Sequence, residues 1–169
     1  MTKIRISGIT DLSTARAVAA LDCDFVALTI TPSEEPFVSP IKVPDYLQWL
    51  SGVEVVLQAH HLTSEQAVKI AGLLNVQHVE IPAKEDFSTD SKVHLWACRT
   101  KPEHDAHGAY AIVDTVLDDV DGNVFRRVKD TPSQGVKSSY DIDVQDFEGP
   151  EGIDFDAIEL LIDKLRKGK

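Results

Sequence analysis

Short apolar segments alternate with segments of helical spacing along the first half of the chain, and this alternation limits the possible folds more than any other feature. Residues 25–30 form an almost continuous apolar run, which is typical of a strand covered on both faces. Similar short strands are predicted at residues 4–6, 53–57 and 76–81. Strands and helices that alternate at this spacing predict βαβ units, and therefore an α/β fold built on a parallel sheet.

The helices between these strands are marked by residues that cap helix N-termini. Thr63 and Gln66 form the pattern of a capping box, and the apolar residues behind them recur with helical spacing. A first helix is predicted to begin at Thr10 or Asp11 and to end near residue 21. Further caps are expected at Asp45, for a short helix, and at Asp154, for the last helix.

The regular pattern fades after residue 85. Strands are predicted there at residues 93–98, 109–113 and 140–144. Asp121-Gly122 is either a hairpin turn between residues 115–120 and 123–128 or part of a loop. Eight complete βα units take about 250 residues. These 169 residues are therefore expected to form a single domain, 1–169, as an open sheet, a shortened barrel or a barrel that lacks several helices.

The charge balance excludes several classes of partner. The chain has 17 Lys and Arg residues against 28 Asp and Glu residues, a net charge of −11 and a pI near 4.8. Nucleic acids and anionic membrane surfaces both require a basic face, so neither is an expected partner. The sequence has no apolar run of the ~20 residues that span a bilayer. It has no signal segment, and Cys23 and Cys98 show no metal-ligand spacing, so a cytoplasmic location is expected.

Several segments resemble one enzyme family in the same order along the chain. Residues 3–10, K-I-R-I-S-G-I-T, are similar to the first strand, K-I-x-I-C-G-I-T, of phosphoribosylanthranilate isomerase, an enzyme of tryptophan biosynthesis. Residues 32–40 resemble its P-x-S-P-R-Y-V-S-P loop, residues 111–115 its L-L-L-D-T strand, and residues 140–144 with the last helix its C-terminal part. The resemblance implies a TIM-barrel-like parallel βα fold, truncated or incomplete relative to a full (β/α)₈ barrel.

The resemblance also implies a reaction and the residues that would perform it. The family catalyses an Amadori rearrangement, an aldose–ketose isomerisation in which a general acid opens the sugar ring and a general base removes the C2′ proton. Asp114 stands at the position of the acid, and Ser7 stands at the position of the base. Candidate substrate-binding residues at the same strand ends and loops are Gly8, Pro36, Arg99 and His60.

The chain departs from the family at the residues that carry this chemistry. Ser7 replaces the cysteine that acts as the general base in the family. A serine can act as a base only as an alkoxide, and an alkoxide is not accessible near neutral pH unless a neighbouring base takes the proton. Pro36 replaces the arginine that binds the substrate carboxylate, and proline offers no donor. Residues 145–147, Q-D-F, replace an S-S-G segment of the phosphate site. We therefore expect an isomerase framework that lacks isomerase activity and serves in binding or assembly.

Two alternatives stay open. In the first, the chain is an active isomerase that uses Asp114 together with an unconventional base, either His60 or His61. In the second, it is an enzyme for another small molecule, with Asp114 as the acid–base group.

The expected ligand is a small phosphorylated or carboxylate compound, and neither a cofactor nor a metal is expected. The acidic residues around Asp121 are predicted to form a solvated turn, and His104 and His107 a surface loop. Trp49 and Trp96 are predicted to lie in the core. An incomplete barrel wall leaves strand edges and apolar surface open, so a homo-oligomer is expected.

Overall fold

One eight-stranded sheet organises the protein, seen in a computed structural model that describes residues 2–34, 36–82, 93–98, 115–117, 125–130 and 139–167. The strand order is β6-β5-β4-β3-β2-β1-β8-β7. Seven of these strands run parallel, and β6 pairs antiparallel with β5. The strands are β1 (Ile4–Ser7), β2 (Phe25–Thr29), β3 (Glu54–Gln58), β4 (His78–Pro82), β5 (His94–Cys98), β6 (Thr115–Leu117), β7 (Phe125–Arg127) and β8 (Ser139–Asp143).

Four helices connect or follow these strands in the described part of the chain. They are α1 (Leu12–Val18), α2 (Val43–Leu47), α3 (Ser64–Leu74) and α4 (Phe155–Lys167). Two 3₁₀ turns, Pro40–Lys42 and Val144–Phe147, and a small antiparallel pair, β9 (Glu148–Gly149) with β10 (Gly152–Ile153), complete the described elements. Among the described residues, every helix is too short or too polar to cross a membrane.

The predicted caps are confirmed for three helices and wrong for one. Asp11 accepts a hydrogen bond from the Thr14 amide, and the capping box of Thr63 with Gln66 is present. The Asp154 carboxylate accepts from the Ala157 amide at 2.9 Å. Asp45 does not cap α2, because the preceding 3₁₀ turn already has helical backbone and the helix begins at Val43. Asp45 therefore lies in the first turn, where a carboxylate suits the helix dipole.

The predicted parallel βα organisation is confirmed, whereas the hairpin interpretation of residues 115–128 is wrong. Both β6 and β7 are strands, but β6 pairs with β5 and β7 pairs with β8. The two segments thus extend opposite ends of the strand order instead of pairing with each other. The strand predicted at residues 109–113 lies outside the described residues.

The strands bury two different faces. Alternate residues such as Ile6, Leu28 and Leu57 pack against the helices in the larger apolar core. The opposite faces carry a second, aromatic-rich cluster, formed by Phe25, Ala27, Val56, Trp96 and Phe125. The period of two in strands explains why each strand contributes to both cores.

The aromatic cluster shows that the sheet is rolled. The rings of Trp96 on β5 and Phe125 on β7 stack with centroids 5.4 Å apart, although five strands lie between β5 and β7 in the sheet order. In a flat sheet, six strand spacings would separate them by roughly 29 Å. The sheet therefore curves into a barrel-like wall around these rings, although the described strands show no ladder between β6 and β7 that would close it. This agrees with the predicted incomplete TIM-barrel-like fold.

The two tryptophans differ in their surroundings. Trp96 is fully buried, as predicted. Trp49 is 47% exposed, so its predicted place in the core is wrong. It lies just beyond the end of α2, where its ring packs beneath the guanidinium of Arg16 at 3.8 Å. A cation–π contact of this kind covers one face of the ring and leaves the other in water.

Candidate functional site

Three charged residues cross the interior of the rolled sheet. Arg5, Glu80 and Asp141 come from the middle of β1, β4 and β8, and all three are buried. Each has apolar neighbours on both sides in its strand, which face the helices while the charged residue faces inward. Arg5 Nε donates to Asp141 Oδ1 at 2.7 Å, and Arg5 Nη1 donates to Glu80 Oε2. The interior thus holds a buried ion-paired triad.

The three residues of this triad stabilise one another's charged forms. Burial alone acts to lower the pKa of Arg5, but attraction by Asp141 and Glu80 outweighs burial and raises this pKa above its usual value. Burial likewise acts to raise the pKa of Glu80, yet Arg5 and a hydrogen bond from His60 hold it well below its usual range. Opposite charges at short distance dominate because the interior screens them weakly.

Ser7, the candidate base, lies directly above this triad at the end of β1. Its buried hydroxyl donates to Asp141 Oδ2 at 3.1 Å. The other oxygen of the same carboxylate accepts from Arg5. In this arrangement the Ser7 hydroxyl carries its proton and acts as a hydrogen-bond donor, so Ser7 is not the alkoxide that a base would have to be.

Gly8 follows Ser7 and is covered by the end of β8. Its φ of 76° is a conformation that favours glycine. A Cβ at this position would lie 2.0 Å from Asp143 Oδ1, so only glycine allows the Asp143 side chain to pack here. Gln145 Nε2 also donates to the Gly8 carbonyl at 2.9 Å. The backbone at this strand end is therefore in contact with the chain's own polar side chains.

Acidic and basic side chains are paired at the same strand ends. Arg127 donates to both Asp143 and Asp146, and Lys129 Nζ lies 2.8 Å from Asp146 Oδ1. Burial raises the pKa of Asp143, and Arg127 only partly offsets this effect. The predicted role of the basic cluster at residues 126–129, balancing nearby acids, is thus observed for Arg127 and Lys129.

His60 lies on the opposite side of the strand ends, between two carboxylates. Its Nε2 is 2.7 Å from Glu80 Oε1, and its Nδ1 is 2.7 Å from Glu34 Oε1. Because both partners are carboxylates, both ring nitrogens can donate when the ring is protonated, and the site favours the imidazolium form. The charge of His60 accordingly helps to hold the pKa of Glu80 low. An imidazolium supplies a proton instead of accepting one, which argues against His60 as an unconventional base.

Polar side chains from β2 and β3 connect His60 to the rest of the network. Gln58 Nε2 donates to Glu80 Oε1 at 3.2 Å, and Thr29 Oγ1 donates to Gln58 Oε1 at 2.9 Å. The backbone amide of His60 donates to Thr31 Oγ1 at 2.9 Å. We call the C-terminal ends of β1 to β4 and β8, with the residues directly after them, the mouth.

The predicted site residues fall into three groups. Ser7, Gly8 and His60 lie at the mouth, where Asp141, Arg5 and Glu80 connect Ser7 to His60 through hydrogen bonds. Pro36 is exposed in the loop after β2. Asp114 and Arg99 lie outside the described residues, so their assignments stay predictions. No group of three or more His, Cys, Asp or Glu side chains suited to a metal ion occurs in the part of the chain that the structure describes.

Solved structures with the same fold were found by comparison. N-(5′-phosphoribosyl)anthranilate isomerase from Pyrococcus furiosus aligns over 99% of this chain and 100% of its own, with a TM-score of 0.69 and 11% identity. A monomeric form of the dimeric phosphoribosylanthranilate isomerase of Thermotoga maritima aligns over the same shares, with a TM-score of 0.66 and 15% identity.

A third structure, phosphoribosylanthranilate isomerase in complex with reduced 1-(o-carboxyphenylamino)-1-deoxyribulose 5-phosphate, has a TM-score of 0.67 and 15% identity, again over 99% of this chain and 100% of its own. No family model and no curated protein sequence matches the chain significantly. At such low identity the likeness concerns the fold alone. The chain has the fold of the phosphoribosylanthranilate isomerases over essentially its whole length.

Proposed function

We propose that the chain is a divergent relative of phosphoribosylanthranilate isomerase that does not isomerise phosphoribosylanthranilate and that serves as a binding or assembly protein. The observation that carries this proposal is the carboxylate of Asp143 packed against Gly8 at the mouth. Asp143, which is paired with Arg127, fills the space beside Gly8, so a phosphate at this strand end would have to displace this ion pair before it could reach the backbone.

The charges of the mouth support the same conclusion. Within the part of the chain that the structure describes, the network contains five carboxylates, from Glu34, Glu80, Asp141, Asp143 and Asp146. These outnumber the cations Arg5, Arg127 and Lys129 even when His60 is counted as positive. A substrate that carries both a phosphate and a carboxylate is repelled by such a site. Ser7, which donates to Asp141, supplies no base to compensate for this loss of binding.

A turnover assay with phosphoribosylanthranilate tests the proposal. We expect no turnover above the blank by the wild-type chain or by the Ser7→Cys/Pro36→Arg double variant, since neither removes Asp143 from the mouth. An authentic isomerase assayed in parallel is the positive control. Wild-type turnover that disappears in Asp114→Asn would show instead that Asp114 acts as the acid of a working isomerase.

His60 favours a second candidate, an enzyme for another small molecule. An imidazolium held between two carboxylates is a positioned proton donor at the mouth. Such a site would suit an aminoaldose without anionic groups. N-ribosylaniline is a suitable probe, with its rearrangement followed by NMR. A rate above the blank that is lost in His60→Gln would support this candidate, whereas equal rates with and without protein would reject it.

We also propose that the chain self-associates. Support comes from large apolar side chains on the surface of the described part, among them Ile41 at 89% and Leu73 at 85% exposure. Exposed apolar surface is stabilised when a second molecule covers it. Light scattering coupled to size exclusion should give a mass of at least twice 18.6 kDa, and a monomer over the whole accessible concentration range would contradict this proposal.

A further inference from the structure

His78 lies at the start of β4, at the end of the rolled sheet opposite the mouth, and it is buried. Its Nε2 is within hydrogen-bond distance of the Glu54 carboxylate, and the indole N–H of the fully buried Trp96 donates to its Nδ1 at 3.1 Å. An indole nitrogen can only donate, so Nδ1 carries no proton. The single ring proton of His78 is therefore on Nε2, the ring is neutral, and Glu54 accepts from it.

Groups from four strands face this ring. His94 on β5 stacks on it with centroids 4.9 Å apart, and Phe25 on β2 meets it edge-on at 5.5 Å. Glu80, two residues further along β4, is engaged by the guanidinium of β1. Glu54 comes from β3, and its side chain is 60% exposed. The remaining attraction for a proton on His78 comes from Glu54, and water weakens this attraction at an exposed position.

Protonation of His78 is incompatible with this arrangement. The imidazolium carries a proton on Nδ1 as well, and this proton would point at the indole N–H of Trp96, 3.1 Å away. Because Trp96 is fully buried, water cannot replace the lost acceptor, and a buried donor without a partner is costly. Burial accordingly lowers the pKa of His78, and this effect outweighs the opposing attraction by Glu54.

The Trp96 ring connects this hydrogen bond to the packing of the interior. The ring stacks on Phe125 of β7 and meets Phe25 of β2 edge-on at 5.0 Å. All three rings belong to the aromatic-rich cluster inside the rolled sheet. A Trp96 ring that separates from a protonated His78 therefore also leaves this cluster, and contacts across the interior are lost with it.

We propose that His78 is an acid-sensitive latch, which holds Trp96 in the aromatic cluster while its ring is neutral and releases Trp96 when the ring is protonated. In the released state the pKa of His78 is near its ordinary value of 6.5, whereas in the closed state it lies lower. The closed state is therefore fully favoured above pH 6.5. Below this pH, the ratio of closed to released protein falls by up to about tenfold for each pH unit, until the closed state itself binds the proton. The latch is independent of the function proposed for the mouth.

Nitrogen NMR of the wild-type ring tests the assignment without any substitution. At pH 8, long-range ¹H–¹⁵N spectra of the folded chain should show Nδ1 of His78 unprotonated and Nε2 protonated. The reverse tautomer would overturn the proposal, and so would a ring that gains its second proton at a pH above the ordinary 6.5.

Trp96 fluorescence follows the release itself. In a Trp49→Phe background, Trp96 is the sole tryptophan. Its emission should shift reversibly to longer wavelength as the pH falls from 7 to 5, while the far-UV circular dichroism stays that of the folded chain. His78→Gln, whose amide oxygen can accept from the indole at every pH, should abolish this shift.

His61→Gln, at an exposed histidine, is the matched control and should leave the shift unchanged. A shift that persists in His78→Gln, or that disappears equally in both variants, would refute the latch. Quenching of Trp96 without any change in wavelength would also refute it, because the proton would then bind without releasing the ring.

Discussion

Arg5, Glu80 and Asp141 each stand alone between apolar neighbours, and this pattern is visible in the sequence. The period of two in a strand places each of them on the face opposite its apolar neighbours. Their inward orientation could therefore be predicted, although the motifs that resemble the isomerase family indicate Ser7 and Asp114 instead. Their direct contact could not be predicted, because Arg5 and Glu80 come from β1 and β4, which meet only when the sheet is rolled.

Removing the central cation should destabilise the fold strongly. Arg5→Met leaves two buried carboxylates without the guanidinium that pairs with both of them, and we expect the free energy of unfolding to fall by about 3–5 kcal/mol. Urea unfolding at pH 7 measures this change. Arg16→Met, which removes only the stacking on Trp49, should lose less than about 1 kcal/mol. Similar losses in the two variants would show that the triad does not behave as a buried charge network.

Acid should weaken the fold through Glu80. Its pKa in the folded chain lies below the usual 4.5, so the stability it contributes is complete above that pH and is lost as the pH falls below it. Between about pH 5 and pH 3, the urea midpoint of wild type should therefore fall more steeply than that of Glu80→Gln. Parallel curves for the two proteins would contradict the assigned role of Glu80.

Local sequence signals predict the individual elements well. Thr63 and Gln66 mark the start of α3, because the side chain of each accepts a hydrogen bond from the backbone amide of the other. This capping box forms within one turn of the chain and needs no tertiary contact. The cap predicted at Asp45 is wrong, because the backbone is already helical in the 3₁₀ turn Pro40–Lys42 and α2 begins at Val43, before Asp45. The pairing of β6 and β7 also escaped prediction, since a hairpin depends on neighbours in sequence and these strands instead pair with distant ones.

The capping box of α3 gives a prediction at this scale. Thr63→Ala removes the acceptor for the Gln66 amide, and we expect a loss of about 1 kcal/mol in the free energy of unfolding. Ser64→Ala, one residue further into the helix, should change stability by less than about 0.5 kcal/mol. Chemical denaturation of both variants provides the comparison. If Ser64→Ala is as damaging as Thr63→Ala, the effect reflects helix packing and not the cap.

Over the whole molecule, the stack of Trp96 on Phe125 reports the curvature of the sheet. The parallel βα organisation follows from the alternating pattern of the sequence, but the pattern contains no information on which distant strands face each other across the interior.

Phe125→Ala should lower the free energy of unfolding by about 3–5 kcal/mol, since it leaves a cavity in a fully buried cluster. In a Trp49→Phe background, it should also shift the emission of Trp96 to longer wavelength. Ser51→Ala, at an exposed position, should do neither.

The interdependence of Arg5, Glu80 and Asp141 bears on the evolution of this chain. Any single substitution toward an uncharged interior leaves one or two of the remaining buried charges without an opposite charge. Each single mutant is therefore less stable than either the starting or the final sequence. A lineage that acquired this triad faces an epistatic barrier to reversal. Directed evolution of catalysis on this scaffold should start from libraries that randomise the three codons together.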